Sequence, residues 1–301
     1  MKKVAIVGAG ISGLYLANEL NKNTEIDYKI FEKKDYLNLN EGYGIQLSVN
    51  SINLLNKIGF KNISASDVYY PTKVNFFQAN NIKKICEIDL KQFNNVNDRY
   101  TTLKRSTLIK FLIGNIPEEK IQFKADIQNI EYNEKIKISW NNKNESFDYI
   151  VIADGVFSKL KSQISNNHLN PIFNGNIALR ANLKQHEKDN ISVYMGSNFH
   201  YVTYPVNQKL EYNFVAIIKK KLTTQEIEDK NILNSETFIK SLKDFISKNS
   251  IINLENLANI KCFPVFVSTE LPTLKYQNTY LSGDALFAFP PSFAQGASQS
   301  I

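Results

Sequence analysis

The sequence predicts an α/β fold in which a parallel-sheet unit is interleaved with an antiparallel sheet. Three observations predict it. The apolar run Val4-Ala5-Ile6-Val7 leads directly into Gly8-Ala9-Gly10-Ile11-Ser12-Gly13. A second strand and glycine turn, Tyr280-Leu281-Ser282 then Gly283-Asp284, stands near the end of the chain. Between about Pro171 and Tyr276 the pattern changes to short runs rich in aromatic and β-branched residues, which read as antiparallel strands.

Val4 to Val7 reads as a buried parallel strand, being short, apolar and β-branched. Ile11, Leu14, Leu16, Ala17 and Leu20 then form a helical stripe, and Tyr28-Lys29-Ile30-Phe31 reads as the next strand, ending at Glu32. In such a unit Gly8 permits the tight turn, Gly10 lets the backbone approach a pyrophosphate, and Gly13 lets the helix pack close to the strand. The helix start offers unpaired N–H groups and a positive dipole end to phosphates. Glu32 falls 19 residues after Gly13, where a carboxylate can accept hydrogen bonds from ribose hydroxyls. The turn alone does not separate NAD from FAD.

Composition narrows the classes. With 43% hydrophobic and 22% charged residues over 301 positions, the chain has the balance of an ordinary globular protein with ample core. The net charge of +7 comes mainly from lysines scattered along the chain, as at Lys33-Lys34, Lys83-Lys84 and 219–221. No basic stripe with interleaved aromatics exists, so a solvated surface is expected and nucleic-acid binding is not. Cys86 and Cys262 have neither metal-ligand spacing nor a disulfide framework, which fits a cytoplasmic location and predicts no metal. No apolar run reaches the ~18 residues needed to span a bilayer. Lys2-Lys3 before an apolar stretch imitates a signal peptide, but the spaced glycines and then Asn18-Glu19 favour the nucleotide turn.

Further motifs stand at set places. Gly42-Tyr43-Gly44-Ile45-Gln46-Leu47-Ser48-Val49-Asn50 reads as a loop and helix start, followed by the apolar face Ile52, Leu54, Leu55 and Ile58 and a Gly59 stop. Leu103 to Leu108 contains Arg105-Ser-Thr-Leu. The run Tyr149-Ile150-Val151-Ile152-Ala153 is a buried strand ending in Asp154-Gly155, where open α/β sheets place ligands. After Gly283-Asp284-Ala285 come Pro290-Pro291 and Gln295-Gly296-Ala297.

In this order the motifs resemble those of the single-component, FAD-dependent aromatic-ring monooxygenases, the group of 4-hydroxybenzoate, salicylate and ubiquinone-precursor hydroxylases. The resemblance runs from Lys3 to the last residue. It implies a Rossmann-like FAD-binding domain interleaved with an antiparallel-sheet substrate domain, a 4-hydroxybenzoate hydroxylase-like α/β fold with α+β elements. Residues 1–72, 98–170 and 277–301 would form the FAD-binding domain; 73–97 and 171–276 would form the substrate domain.

By the same resemblance Gly8, Gly10, Ser12 and Gly13 hold the FAD pyrophosphate, with Glu32, Lys33 and Ile127 also bordering the cofactor. Gly44 and Gln46 lie beside the flavin, and Arg105, whose planar fork can grip phosphate or ribose oxygens, reaches it. Asp154 is associated with both FAD and the nicotinamide donor. Gly283 and Asp284 contact the ribityl and pyrophosphate part, while Pro291, Gln295, Gly296 and Ala297 border the isoalloxazine ring. N–H groups at that helix start can stabilise negative charge on reduced flavin. The chain departs from the family at Ala285-Leu286-Phe287-Ala288, which stands where Ala-Ala-His-Pro is common. The family's last helix is longer, so the chain is expected to stop inside an element and to be truncated at its C-terminus.

In the antiparallel region, strands are expected at Ile191 to Tyr194, Tyr201 to Tyr204 and Tyr212 to Ile218. An amphipathic helix follows from Ser235 to Ser247 through Phe238, Leu242, Phe245 and Ile246, and Lys73 to Leu90 adds a strand pair to the same layer. The stretch Gly196 to Pro205 resembles the salicylate and hydroxynicotinate hydroxylase branch. His200 and Tyr204, four apart, share one face of a strand. Facing a phenolic substrate, they are candidates for removing its hydroxyl proton, the alternative being ordinary sheet residues. Arg180 and Tyr194 are further candidates for holding a substrate carboxylate.

The activity implied is hydroxylation of a small phenolic or carboxylated aromatic ring, with NADH or NADPH as electron donor and O2 as oxidant, through a flavin C4a-hydroperoxide. Two alternatives stay open: a truncated FAD-binding protein without hydroxylase activity, and another flavin oxidoreductase on the same scaffold. Halogenation loses ground because Trp140 is the only tryptophan, which leaves no Trp-x-Trp-x-Ile motif.

Overall fold

The structure is a computed structural model; it describes residues 1–39, 42–167, 169–183, 189–291 and 294–301. A five-stranded sheet runs in the order Thr279–Leu281, Tyr149–Ile152, Lys2–Val7, Ile26–Phe31 and Ile121–Gln122. All its neighbours are parallel. Parallel sheets need cover on both faces, and this one has it. On one face helix Ile11–Leu20 and helix Arg105–Gly114 bury Leu14, Ala17, Leu108 and Leu112 with Val4, Ile6 and Ile30. Asn18, buried between them, donates its side-chain amide to the carbonyls of Leu14 and Leu112, at 2.8 and 2.9 Å.

A three-stranded meander covers the other face. Its strands are Asn129–Tyr132, Ile136–Trp140 and Lys143–Phe147. Here Ile136, Ile138 and Trp140 alternate inward, and Phe31 meets Trp140 and Phe147 edge-on at 4.9 and 5.7 Å between ring centres.

The second large sheet has seven strands, in the order Leu257–Val267, Ile172–Leu183, Tyr212–Lys219, Phe199–Pro205, Ile191–Met195, Lys73–Gln78 and Lys84–Asp89. The expected strands at 191, 201 and 212 are all present, as is the pair from Lys73 to Asp89. That pair joins the layer by a parallel contact, Lys73–Gln78 against Ile191–Met195, while the other neighbours are antiparallel. Helix Glu236–Asn249, capped by Ser235 Oγ on the Phe238 N–H, lies on one face. Phe238, Leu242 and Ile246 pack there against Tyr201, Phe214 and Leu179.

The opposite face turns toward the parallel-sheet unit and presents His200, Val202 and Tyr204 beside Asn213, Val215 and Ile217. A small sheet joins the two halves: Gly44–Leu47, Thr101–Lys104 and Val68–Tyr69. Gly44 to Leu47 is thus a strand, not the loop expected from its glycines, because its backbone is paired with Thr101–Lys104. The Gly44 N–H donates to Asn213 Oδ1 at 2.7 Å and Thr102 Oγ1 donates to the Pro205 carbonyl at 2.6 Å. Among the described residues no helix is long and apolar enough to cross a membrane.

Candidate cofactor cleft and the sheet face beside it

A cleft of about 730 Å³ opens at the C-terminal ends of strands Lys2–Val7, Ile26–Phe31 and Tyr149–Ile152. The glycine turn forms its floor. Gly8 has φ +105°, and a Cβ there would sit 2.5 Å from the Ala153 carbonyl oxygen. A Cβ on Gly13 would sit 2.1 Å from the Gly8 oxygen, so helix and turn can approach only without one. Gly10 meets nothing nearer than 4.0 Å and leaves the turn open to the cleft. Glu32 clamps the turn, its two carboxylate oxygens accepting the N–H of Ala9 at 2.8 Å and of Lys34 at 3.0 Å.

The end of the chain closes the same cleft. Ser12 Oγ and Ser282 Oγ are 2.6 Å apart, and Gly283, with φ +60°, lets its backbone pass Ser12 closely. Asp284 lines the cleft beside Arg105. Burial pushes the Asp284 carboxyl up from its ordinary range, and the Arg105 guanidinium pulls against that shift. Across the cleft, burial also pushes the Asp154 carboxyl up, opposed by a Ser158 hydrogen bond and by Lys33 and Lys161. Among the described residues Asp154 Oδ1 is buried without a hydrogen-bond partner. Such an atom costs free energy until something donates to it.

The structure gathers Gly8, Gly10, Ser12, Glu32, Lys33, Arg105 and Ile127 along this cleft, with Asp154, Asp284, Gly296 and Ala297. Gly13 lies beneath it. Gly283 opens on an adjoining apolar cavity of about 370 Å³ with Leu271, Phe287 and Phe289, and Asp284 and Ser300 line both cavities. Pro291 and Gln295 are outside both; helix Gly296–Gln299 starts after Gln295 and is tied to Ser48, whose N–H donates to Ser298 Oγ. Sequence reasoning missed Gln128, Phe157 and Ser300 in the lining. Nothing in their local pattern marks them.

Gly44, Gln46, His200 and Tyr204 lie off the cleft; Gly44 and Tyr204 stand where the small sheet meets the seven-stranded one, and His200 lies farther along the same strand as Tyr204. A Cβ on Gly44 would come within 2.8 Å of Tyr204 Cε2. Arg180, which lines the cleft, shares that sheet face and acts electrostatically on Tyr204. Tyr194 does not: it stacks between Phe77 and Tyr201 in the core on the opposite face, so it does not stand beside Arg180. His200 and Tyr204 share a face as expected, about 13 Å apart along the strand. His200 sits between Met195 and Ile217, and burial moves its imidazole below the ordinary value, toward the neutral form that accepts a proton. Tyr204 goes the other way. Burial raises its phenol strongly, against the pull of Arg180 and Gln46, so it keeps its proton and can donate a hydrogen bond.

A family described as FAD binding domain matches residues 1–301. Salicylate hydroxylase of Pseudomonas putida is 22% identical over 330 residues, covering 99% of this chain and 74% of its own. The FAD-dependent monooxygenase dpfgE of Gibberella zeae is 25% identical over 170 residues, covering 54% of this chain; the match spans only 36% of that relative's length. Among solved structures, Klebsiella pneumoniae HpxO complexed with FAD and uric acid has a TM-score of 0.80 at 15% identity, covering 99% of this chain and 77% of its own. The fold is that of the 4-hydroxybenzoate hydroxylase-like FAD-dependent hydroxylases.

Proposed function

Since the chain belongs to the FAD binding domain family, we propose that it is the core of a flavoprotein monooxygenase that uses NADH or NADPH and O2 to hydroxylate a small phenolic or carboxylated aromatic ring. The observation that carries this reading is Asp154 Oδ1, buried and without a hydrogen-bond partner among the described residues, in a cleft bounded by both glycine turns. A ribose or ribityl hydroxyl is the kind of donor it lacks.

FAD, when bound, supplies the redox and oxygen chemistry; the protein positions it, excludes water and sets local charge. The turn at Gly8, Gly10 and Ser12 would offer N–H groups to the pyrophosphate, with Gly13 keeping the helix close beneath. Glu32, held by two backbone donors, keeps lone pairs for the adenosine ribose, with Lys33 and Ile127 at the same end. Arg105, Asp154, Gly283 and Asp284 would hold the middle, and Gly44, Pro291, Gln295, Gly296 and Ala297 would border the ring. Residues 1–72, 98–170 and 277–301 serve FAD in this reading; 73–97 and 171–276 supply the sheet face for the substrate.

On that face Val202, Val215 and Ile217 make an aliphatic wall with Arg180, Tyr204 and His200 as its polar points. Neutral His200 is the candidate proton acceptor, and Arg180 the candidate for a substrate anion. The test is to load the purified chain with FAD, record bound-flavin absorbance, and screen substituted benzoates, phenols and pyridine carboxylates for stimulated NADH or NADPH oxidation with hydroxylated product. Bound FAD with no product from any of them would make it a flavin-binding protein instead. No bound FAD would end the proposal.

A further inference from the structure

The seven-stranded sheet ends in two edges of different character. At one, strand Leu257–Val267 carries Pro264 and two shifts in its register with Ile172–Leu183, devices that keep an edge from pairing. The other edge is strand Lys84–Asp89, which reads Lys-Ile-Cys-Glu-Ile-Asp and is exposed at every residue. Its inner side pairs with Lys73–Gln78. The Leu90 N–H donates to the Thr72 carbonyl at 2.8 Å, and the register sets Ile88 opposite Val74 and Cys86 opposite Phe76. An antiparallel ladder alternates bonded and non-bonded pairs, so Ile88 and Cys86 turn their backbone groups inward, while Glu87 and Asp89 turn theirs outward. Ile85 stands in an irregularity of the ladder, between Cys86 and Lys84.

The side chains along this edge are apolar as well as charged. Ile85 is 53% exposed and Ile88 41%, and Phe93, just beyond the strand, is 57% exposed. Unpaired backbone with exposed isoleucines is a template for a further strand, and the charges select which one. Glu87 is neutralised within its own copy by ion pairs with Lys73, at 2.8 Å, and Lys84. Among the described residues neither Lys83 nor Asp89 has an ion pair. The strand is therefore positive where it starts, at Lys83 and Lys84, and negative where it ends, at Asp89. Laid antiparallel on a second copy of itself, each start meets the other's end, and Ile85 of one copy comes beside Ile88 of the other. Laid parallel, like charge meets like charge, which opposes pairing.

We propose that strand Lys84–Asp89 is a homodimer edge, two copies pairing antiparallel through it about a two-fold axis near Cys86 and Glu87 and joining their sheets into one. Such an interface is isologous, the same patch serving both copies. It is independent of what the cleft binds.

The test is the mass of the purified chain in solution, by light scattering with and without FAD, from about 1 to 100 µM, the range suited to an interface of one short strand. The wild type is expected to pass from one copy to two across that range. A short bis-maleimide should then join the two copies through Cys86, the exposed cysteine, and Cys86→Ser should remove the cross-link but not the dimer. Glu87→Pro takes away an outward N–H that the strand's own sheet does not use, a substitution edges tolerate, and should leave a monomer with unchanged circular dichroism. Lys84→Glu sets acid against Asp89 of the other copy, and Asp89→Lys sets base against Lys84. Each variant alone should be monomeric, while their equimolar mixture should associate about tenfold more tightly than either alone. A wild type that stays monomeric throughout overturns the proposal. So does a dimer unmoved by Glu87→Pro, or a mixture as monomeric as its parts.

Discussion

At the scale of one residue, Asp154 carries a cost to the stability of the folded chain. Its Oδ1 is buried with no donor among the described residues, and an unsatisfied buried polar atom costs about 1–3 kcal/mol. Asp154→Ala should therefore stabilise the FAD-free chain by about that amount while weakening FAD binding, measured by denaturant unfolding and flavin-fluorescence titration. The pH dependence has a definite sign. Burial raises the folded-state pKa, so this group's contribution is fullest below the unfolded value of about 3.9 and is lost as pH rises through the folded value. The advantage of Asp154→Asn over the wild type without FAD should accordingly grow from acidic to neutral pH. A stability gap that shrinks on going to neutral pH would contradict the burial argument.

Elements here are tied to one another by a few polar clasps. Asp98 accepts from Asn53 and Asn56 on helix Val49–Asn56 and from Asn95 in its own loop, at 3.1, 2.9 and 2.9 Å. That loop leads straight to Tyr100 and strand Thr101–Lys104. The amide donors, Asn95 foremost and then Asn53, hold the Asp98 carboxyl below its ordinary range. Its contribution is therefore present above the unfolded value of about 3.9 and lost as pH falls through the lower folded value. Asp98→Ala should cost about 1–3 kcal/mol at neutral pH, and the difference from wild type should close in strong acid, read from urea midpoints. Helix Glu236–Asn249 is held instead by packing, with Ile246 fully buried. Ile246→Ala should cost about 2–5 kcal/mol yet leave FAD affinity within about twofold, since its cluster is separate from the one beneath the cleft.

Across the whole molecule the first and last segments of the chain converge on one site. The turn at Gly8 and the turn at Gly283 are joined through Ser12 and Ser282, and Arg105 and Asp154 come from between. A ligand bridging these segments stabilises the assembly by mass action. FAD at a hundred times its dissociation constant should add about 2.7 kcal/mol to the unfolding free energy, seen as a thermal midpoint that climbs with FAD concentration. AMP or riboflavin alone, reaching only one end of the cleft, should raise it less at equal concentration.

What could be read from sequence was governed by short-range chemistry. The strand, turn and helix from Lys2 to Leu20 follow from adjacent residues, and helix Ile11–Leu20 has the expected ends. The alternating strands at 191–219 and the amphipathic helix that follows Ser235 were legible for the same reason. The meander Asn129–Phe147 carried a signal, Ile136, Ile138 and Trp140 alternating, that went unread because its partners lie outside it. Strand Leu257–Val267 was hidden by Pro264 and an irregular register. By itself, then, the sequence determined which segments could be strands and turns and which glycines must lack a side chain. Only the tertiary structure decided that Lys73–Gln78 lies parallel to Ile191–Met195, that Asp154 Oδ1 is buried without a donor among the described residues, and that Gln46 accepts from Tyr100. Those outcomes depend on pairing and packing between segments far apart in the chain, and local propensity carries no record of them.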